Sequence, residues 1–363
     1  MPYPEILDAF ALPEGERTAV PFGNGHINNT FLVRIAGTDR QYILQRINSY
    51  VFVRPREVME NIQHVTAHLR MKILAAGGDP DRETITLIPT LSGESCAEDS
   101  EGQIWRLLLF VPDTFSPELP DDPAVLEECG RAFGLFTRML DDFPVASLYE
   151  TIHAFHDTPS RLCQLEEAVA RNASGRLHEV EEELAFARSH ADDTRLLTDA
   201  LAAEKLPLRV THNDTKVNNV LLDRKTSKAV CVIDLDTVMP GLLAYDFGDA
   251  IRVGACSAAE DEQDLSLIRL ELPKYRAFAR GFLSSLKGVL SREELLSLET
   301  GARLMTLENG LRFLADHLNG DVYFKIHRPG QNLDRARAQF ALFRDMEKHS
   351  TEAREILLEL YGD

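Results

Sequence analysis

The segment Val210-Thr211-His212-Asn213-Asp214-Thr215-Lys216-Val217-Asn218-Asn219 sets a histidine, an aspartate, a lysine and an asparagine at the spacing H-x-D-x-K-x-x-N, directly before the apolar run Val220-Leu221-Leu222. Fifteen residues after Asn219, the apolar pair Val232-Ile233 leads into Asp234, with Asp236 two positions on. This is the order of groups that phosphoryl transfer from a magnesium nucleotide requires. One carboxylate must stand beside the acceptor hydroxyl, and Asp214 is the candidate base. Mg²⁺ is a hard cation that takes oxygen ligands, which Asn219 and Asp234 supply. Lys216 is the cation available to offset charge on the phosphoryl group in flight. The competing account is a surface loop with a few capping polar residues between two strands. Four residue types at one spacing, joined to a strand and a second carboxylate, outweigh it.

Such a site also needs a cover for the nucleotide phosphates. Phe22-Gly23-Asn24-Gly25 offers a G-x-G turn immediately before the β-rich run Thr30–Ile35, where the backbone amides of Gly23 and Gly25 can point at phosphate oxygens. The third glycine of a kinase loop is replaced by Asn28, and an ordinary hairpin turn is the alternative. The next strand, Tyr42-Ile43-Leu44-Gln45-Arg46, has no lysine. Either Arg46 supplies the phosphate-side charge or Gln45 supplies a neutral hydrogen bond, because alternation puts the two on opposite faces. On the following helix both Glu57 and Glu60 are possible partners. Asp246, in Tyr245-Asp246-Phe247-Gly248-Asp249, reads either as a helix N-cap or as a brace for the catalytic loop. About a dozen residues separate Asp234 from this cluster, and there is no A-P-E motif, so a peptide-docking activation segment is disfavoured and a small-molecule acceptor favoured.

These groups need a scaffold, and the pattern predicts an α+β one. Strand-like runs at 30–35, 41–47, 84–89 and 103–111 surround one helix at 55–74, whose Val58, Ile62, Val65 and Leu69 recur at helical spacing. Beyond Pro112 the chain is mainly helical: 126–140, a long charged region 161–203 broken near Asn172–Gly175, and a C-terminal part with the stripe Leu304, Leu307, Leu311, Leu314 and Leu318. A β-rich island at 208–238 carries the motif. The expected division is a small β-rich N-lobe, 1–111, that covers the nucleotide, and a larger, mainly helical catalytic and substrate-binding C-lobe, 112–363. The 363 residues are 44% hydrophobic and 27% charged, with a formal net charge of −19, which opposes nucleic acid and anionic membranes as partners. No apolar run reaches the roughly 18 residues of a membrane span, and the N-terminus lacks a signal-peptide pattern. The five cysteines are unpaired by spacing and read as buried free thiols of a reducing, cytoplasmic compartment.

Several of these stretches together resemble the aminoglycoside phosphotransferase and choline kinase superfamily, and most nearly its N-acetylhexosamine 1-kinase branch. They are His212–Lys216, Ile233–Gly241, Tyr245–Asp249, Met305–Glu308 with Arg312-Phe313-Leu314, Tyr323–Arg328, Gly330 with Asn332–Arg335, Gly25–Phe31 and Leu44–Arg46. The resemblance implies a protein-kinase-like fold of the aminoglycoside phosphotransferase type, with ATP and Mg²⁺ as cofactors. It implies that Asp214 acts on the anomeric hydroxyl of GlcNAc or GalNAc. Gly23, Gly25, Gln45, Arg46 and Glu60 then fall on the nucleotide side. Ile27, Arg312 and Tyr323 contact the sugar, and His212, Asp236 and Asp246 support the site. The residues alone leave blander accounts open: Arg312 is four residues from Glu308, a helical ion-pair spacing, and Tyr323 can be a partly buried aromatic. The expected partner is a small-molecule sugar, with no obligate protein partner. An amino alcohol, an aminoglycoside or another sugar is the rival acceptor, and a non-catalytic nucleotide-binding module is the rival of another class.

Overall fold

In the computed structural model, residues 4–23, 28–118 and 122–362 are described. The chain forms two compact units. One gathers Met1–Ser116, Met139–His153 and Asn219–Pro240, and the other Pro117–Arg138, Ala154–Asn218 and Gly241–Asp363. The first unit is therefore discontinuous in sequence: the hairpin carrying Asp234 belongs to it together with the N-terminal residues.

The first unit is built on an antiparallel sheet of β1 (Arg17–Pro21), β2 (Asn29–Ile35), β3 (Gln41–Arg46), β4 (Ala97–Glu98) and β5 (Ile104–Leu109), in the order β1-β2-β3-β5-β4. Period-two alternation divides its faces. Val33, Ile35, Tyr42, Leu44, Trp105 and Leu107 turn to one side and bury with Ile6, Leu7 and Phe10, the first two from helix α1 (Pro4–Asp8). On the other side Thr30, Gln45 and Arg106 stand in one row across β2, β3 and β5. Helix α2 (Pro55–Ala75) buries Val58, Ile62, Val65 and Leu69, as its spacing predicts. A second small sheet joins β6 (Thr114–Phe115), β8 (Val220–Asp223) and β9 (Ala229–Val232).

The second unit holds β7 (Arg209–Thr211) and the helices α4 (Pro123–Met139, whose last residue belongs to the first unit), α5 (Thr158–Arg171), α6 (Glu181–Ser189), α7 (Leu196–Ala202), α8 (Leu243–Gly254), α9 (Leu272–Ser284), α10 (Arg292–Asn319), α11 (Gln331–Lys348) and α12 (Ser350–Tyr361). The short α3 (Pro80–Glu83) belongs to the first unit. Helix α10 is the axis of the helical unit. Leu304, Leu307, Leu311, Leu314 and Leu318 are buried, and so are Thr306, Glu308 and Asn309, so the helix is covered around most of its circumference rather than along one stripe.

Some expectations are corrected. Residues 84–89 form no strand: Leu87 makes a single bridge to Leu108, Pro89 turns its carbonyl the other way to the N–H of Ala11, and the adjoining Ile104 and Trp105 of β5 pair with β4 instead. The region 161–203 breaks at Asn172 as expected, where the left-handed conformation (φ 42°) closes α5, but it breaks again after Ser189 and so forms three helices. Cys96, Cys129 and Cys231 are buried free thiols, but Cys163 is exposed and Cys256 only partly covered. Among the described residues, no helix is long and apolar enough to cross a membrane.

Candidate active site

In the helical unit the H-x-D motif leaves β7 as a tightly bonded loop. Asn213 adopts φ 62°, a left-handed conformation that costs about 1–2 kcal/mol except where local hydrogen bonds hold it. The bonds are present. Asp246, on the first turn of α8, accepts from the backbone N–H of His212 at 2.8 Å and of Asn213 at 2.7 Å. The Thr215 hydroxyl donates to the Asp246 carbonyl. The N-cap of α8 is Leu242, so Asp246 sits as a brace for the loop and not as the cap. Burial pushes its carboxyl above the ordinary carboxylate value, against the pull of His212 and the two amides. The fully buried His212 ring lies edge-on to Phe133 and Phe136, and its Nδ1 accepts from the N–H of Asp214 at 3.3 Å.

Asp214 is therefore presented by a loop whose backbone is tied down on both sides of it, and its carboxylate remains partly exposed. Lys216 Nζ lies 2.8 Å from Asp214 Oδ1, and this carboxylate raises the lysine pKa against the opposing effect of burial. A lysine held charged beside a carboxylate suits two tasks: it keeps the carboxylate oriented, and it offers a cation to an arriving phosphoryl group.

In the β-rich unit, the two metal-ligand candidates occupy one end of a hairpin. Asn219 immediately precedes β8, Asp234 follows β9, and the N–H of Ile233 donates to the Asn219 carbonyl at 2.9 Å. Asp234 itself is left-handed, with φ 62°. Asp236 is buried and already engaged: Asn28 Nδ2 donates to Oδ2 at 2.6 Å and the Arg106 guanidinium donates to Oδ1. Arg106 Nε also donates to Gln45 Oε1 at 2.8 Å, and Gln45 Nε2 to Thr30 Oγ1 at 3.1 Å. Gln45 thus shares its face with Arg106 and Asp236. Arg46 lies on the opposite face, its guanidinium 5.9 Å from the centroid of Trp105. Glu60 is exposed and hydrogen-bonds the Tyr149 hydroxyl. Its neighbour Asn61 is buried and bridges the Tyr149 and Val238 carbonyls at 2.8 and 2.9 Å. Gly23 has φ +77°, a conformation open to glycine. Gly25 and Ile27 lie outside the described residues.

Strand β3 lacks a lysine, and the buried cation stands one strand over, at Arg106 of β5. Sequence reasoning did not single it out, although a lone arginine inside Ile104-Trp105-Arg106-Leu107-Leu108 carries a signal: a charge buried in an apolar strand requires a partner. His156 and Glu308 were also missed as a pair. His156 Nδ1 lies 2.9 Å from Glu308 Oε1, His156 Nε2 lies 3.1 Å from the Asn213 carbonyl, and Thr158 Oγ1 donates to Glu308 Oε2 at 2.9 Å. The helical spacing of Glu308 and Arg312 does not give a simple ion pair. Arg312 instead stacks over Phe155, Tyr323 and Phe324, with ring centroids at 5.6, 5.9 and 5.4 Å. Tyr323 is half exposed.

Burial alone would raise the Glu308 pKa, yet His156 and its hydrogen bond, then Arg312 and Arg161, hold the carboxyl below its ordinary 4.5. A carboxyl depressed on folding contributes stability above its unfolded value and loses it as pH falls through the folded one. The melting-temperature gap between wild type and Glu308→Gln is therefore expected to be widest at neutral pH and to close below about pH 4.5. Melting curves that run parallel from pH 7 to pH 3 count against this assignment.

A family model described as the phosphotransferase enzyme family matches residues 18–282, nearly three quarters of the chain. Among solved structures, an aminoglycoside phosphotransferase from Alicyclobacillus acidocaldarius is similar at TM-score 0.62 and 14% identity, covering 98% of this chain and 96% of that one. A choline kinase from Cryptosporidium parvum is similar at TM-score 0.59 and 14% identity, covering 97% and 95%. The GDP complex of aminoglycoside 2'-phosphotransferase-IIIa is similar at TM-score 0.51 and 13% identity, covering 95% and 92%. Identities this low speak for a shared fold. The family match, the braced H-x-D loop, the antiparallel sheet of one unit and the helices of the other lead to one conclusion: the chain belongs to the phosphotransferase enzyme family, with its aminoglycoside phosphotransferase, protein-kinase-like fold.

Proposed function

We propose that this small-molecule phosphotransferase moves the γ-phosphoryl group of ATP to the anomeric hydroxyl of an N-acetylhexosamine, GlcNAc or GalNAc. The observation that carries the chemistry is the Asp214 loop, in which Asp246, His156 and His212 take up the surrounding backbone groups and leave one carboxylate presented beside Lys216. Asp214 orients the hydroxyl and receives its proton as the new O–P bond forms and the bond to the ADP oxygen breaks. Lys216 offsets charge on the phosphoryl oxygens. Mg²⁺ fits the oxygen donors of Asn219 and Asp234, and when bound it supplies charge neutralisation to the nucleotide phosphates. Asp236 is not a donor in this reading, because Arg106 and Asn28 occupy it. The G-x-G turn of Gly23 and Gly25 covers phosphates. Gln45 is the strand residue on the nucleotide side; Arg46, on the other face of β3, and Glu60, on α2, are the remaining residues assigned to nucleotide binding.

On the acceptor side, Arg312, Tyr323 and Ile27 are the sugar contacts. Arg312 fills the aromatic surroundings of Phe155, Tyr323 and Phe324 with the protein's own cation. A quaternary or protonated amine gains nothing there and meets like charge, whereas a neutral sugar with an N-acyl carbonyl gains a donor. The second reading is a cationic acceptor, an amino alcohol or an aminoglycoside, which the names of the similar structures and the net charge of −19 favour. Phosphorus NMR after incubation with ATP, Mg²⁺ and GlcNAc, GalNAc, choline or an aminoglycoside separates the two. The expected product is a sugar phosphate whose phosphorus couples to the anomeric proton. Phosphate transferred only to choline or the aminoglycoside overturns the sugar assignment.

A further inference from the structure

Glu308, Arg312 and Asp316 follow one another at i, i+4 and i+8 on α10, so they lie along one face over about 12 Å of helix. All three end on elements of the site. At one end, Glu308 holds His156, which reaches the carbonyl of Asn213. This carbonyl belongs to the peptide unit that carries the Asp214 N–H, so the bond fixes the plane from which Asp214 projects. At the other end the buried Asp316 carboxylate collects three successive amides: Val322 N–H at 3.0 Å, Tyr323 N–H at 2.8 Å and Phe324 N–H at 2.9 Å, with Asn332 Nδ2 also at 2.9 Å. A carboxylate bonded this way dictates the path of the loop that carries Tyr323. Between the two ends Arg312 packs on Phe155, the neighbour of His156, and on Tyr323 and Phe324.

We propose that this face of α10 is a gauge that sets the catalytic loop and the acceptor loop at a fixed separation. Glu308 and His156 are positioning residues for Asp214, and Asp316 is the positioning residue for the loop of Tyr323. The proposal rests on the reading of Asp214 as base and of Tyr323 as an acceptor contact. It follows that the two ends govern different kinetic constants: the Glu308 end governs turnover with any acceptor, water included, and the Asp316 end governs acceptor affinity alone.

The test uses the full chain with ATP, Mg²⁺ and GlcNAc, and measures kcat, acceptor KM, nucleotide KM and ATP hydrolysis without sugar. Glu308→Gln and His156→Ala are expected to lower kcat and sugar-free hydrolysis by about 10²-fold, the loss that a misplaced reacting group brings, with acceptor KM within about threefold. His156→Gln, which retains a donor toward Asn213, is expected to recover much of the loss. Asp316→Asn is expected to raise acceptor KM about tenfold while kcat and sugar-free hydrolysis stay within about twofold. A uniform loss of all constants in both kinds of variant, or hydrolysis by Glu308→Gln and His156→Ala at the wild-type rate, overturns the gauge. Absence of sugar phosphate from the wild type overturns the acceptor reading instead, and the hydrolysis rates still decide for or against the Glu308 end.

Discussion

Asp214→Asn is expected to lower kcat by about 10³-fold while nucleotide affinity stays within about threefold. The substitution keeps the size and shape of the side chain and removes its ability to take a proton, and a positioned general base contributes typically 10²–10⁴-fold. The backbone of the loop is held by groups other than the Asp214 carboxylate. Its amides and carbonyls are held by Asp246, His212 and His156, so the asparagine is presented from the same place. Nucleotide binding measured by titration calorimetry, with single-turnover rates beside it, separates chemistry from binding. A kcat within tenfold of wild type would remove Asp214 from the role of base and turn attention to a carboxylate elsewhere in the chain.

Gly301→Ala is expected to destabilise the helical unit by about 3 kcal/mol, the upper part of the usual overpacking range, and to lower its melting temperature by about 6 °C or more. Helices α8 and α10 cross with their backbones in contact. A Cβ on Gly301 would fall on the Ala244 carbonyl oxygen, and one on Gly248 would fall on the Gly301 carbonyl oxygen, both closer than the 3.0 Å below which real Cβ contacts essentially never occur. Both obstacles are main-chain atoms, so neither can rotate away and the helices must separate. The consequence reaches the site, because α8 carries Asp246, the brace of the catalytic loop. Activity is therefore expected to fall further than the folded fraction does. Differential scanning calorimetry with parallel kcat measurements checks both parts, and an unchanged melting profile with full activity would show that the crossing tolerates a methyl group.

Much of the candidate site is legible in the linear order because its chemistry is local. Asp214, Lys216 and Asn219 fall within six residues, and a short loop leaving a strand has few ways to present them. Asp234 follows on the next strand, and antiparallel pairing returns it to the end of the hairpin where Asn219 sits. Helix α2 and the hairpin of β2 and β3 were likewise readable, since amphipathic spacing and alternation are properties of neighbours in sequence.

The linear order thus carries the set of candidate reacting groups, the small-molecule class of the acceptor and the α+β character of the chain. Packing chose which of several equivalent residues takes each remaining place. Alternation puts Gln45 and Arg46 on opposite faces without saying which face meets Asp236, and that follows only from the pairing of β3 with β5, which sets Gln45 beside Arg106. Asp246 reads equally as cap or brace until α8 docks and its carboxylate meets the amides of His212 and Asn213. Glu308 has a helical neighbour of opposite charge in Arg312, yet it bonds a histidine 152 positions away. The reason is common to all three: a buried or half-buried polar group takes whichever partner the packing brings within hydrogen-bond reach, and that partner is set by long-range contacts that no local pattern in the sequence encodes.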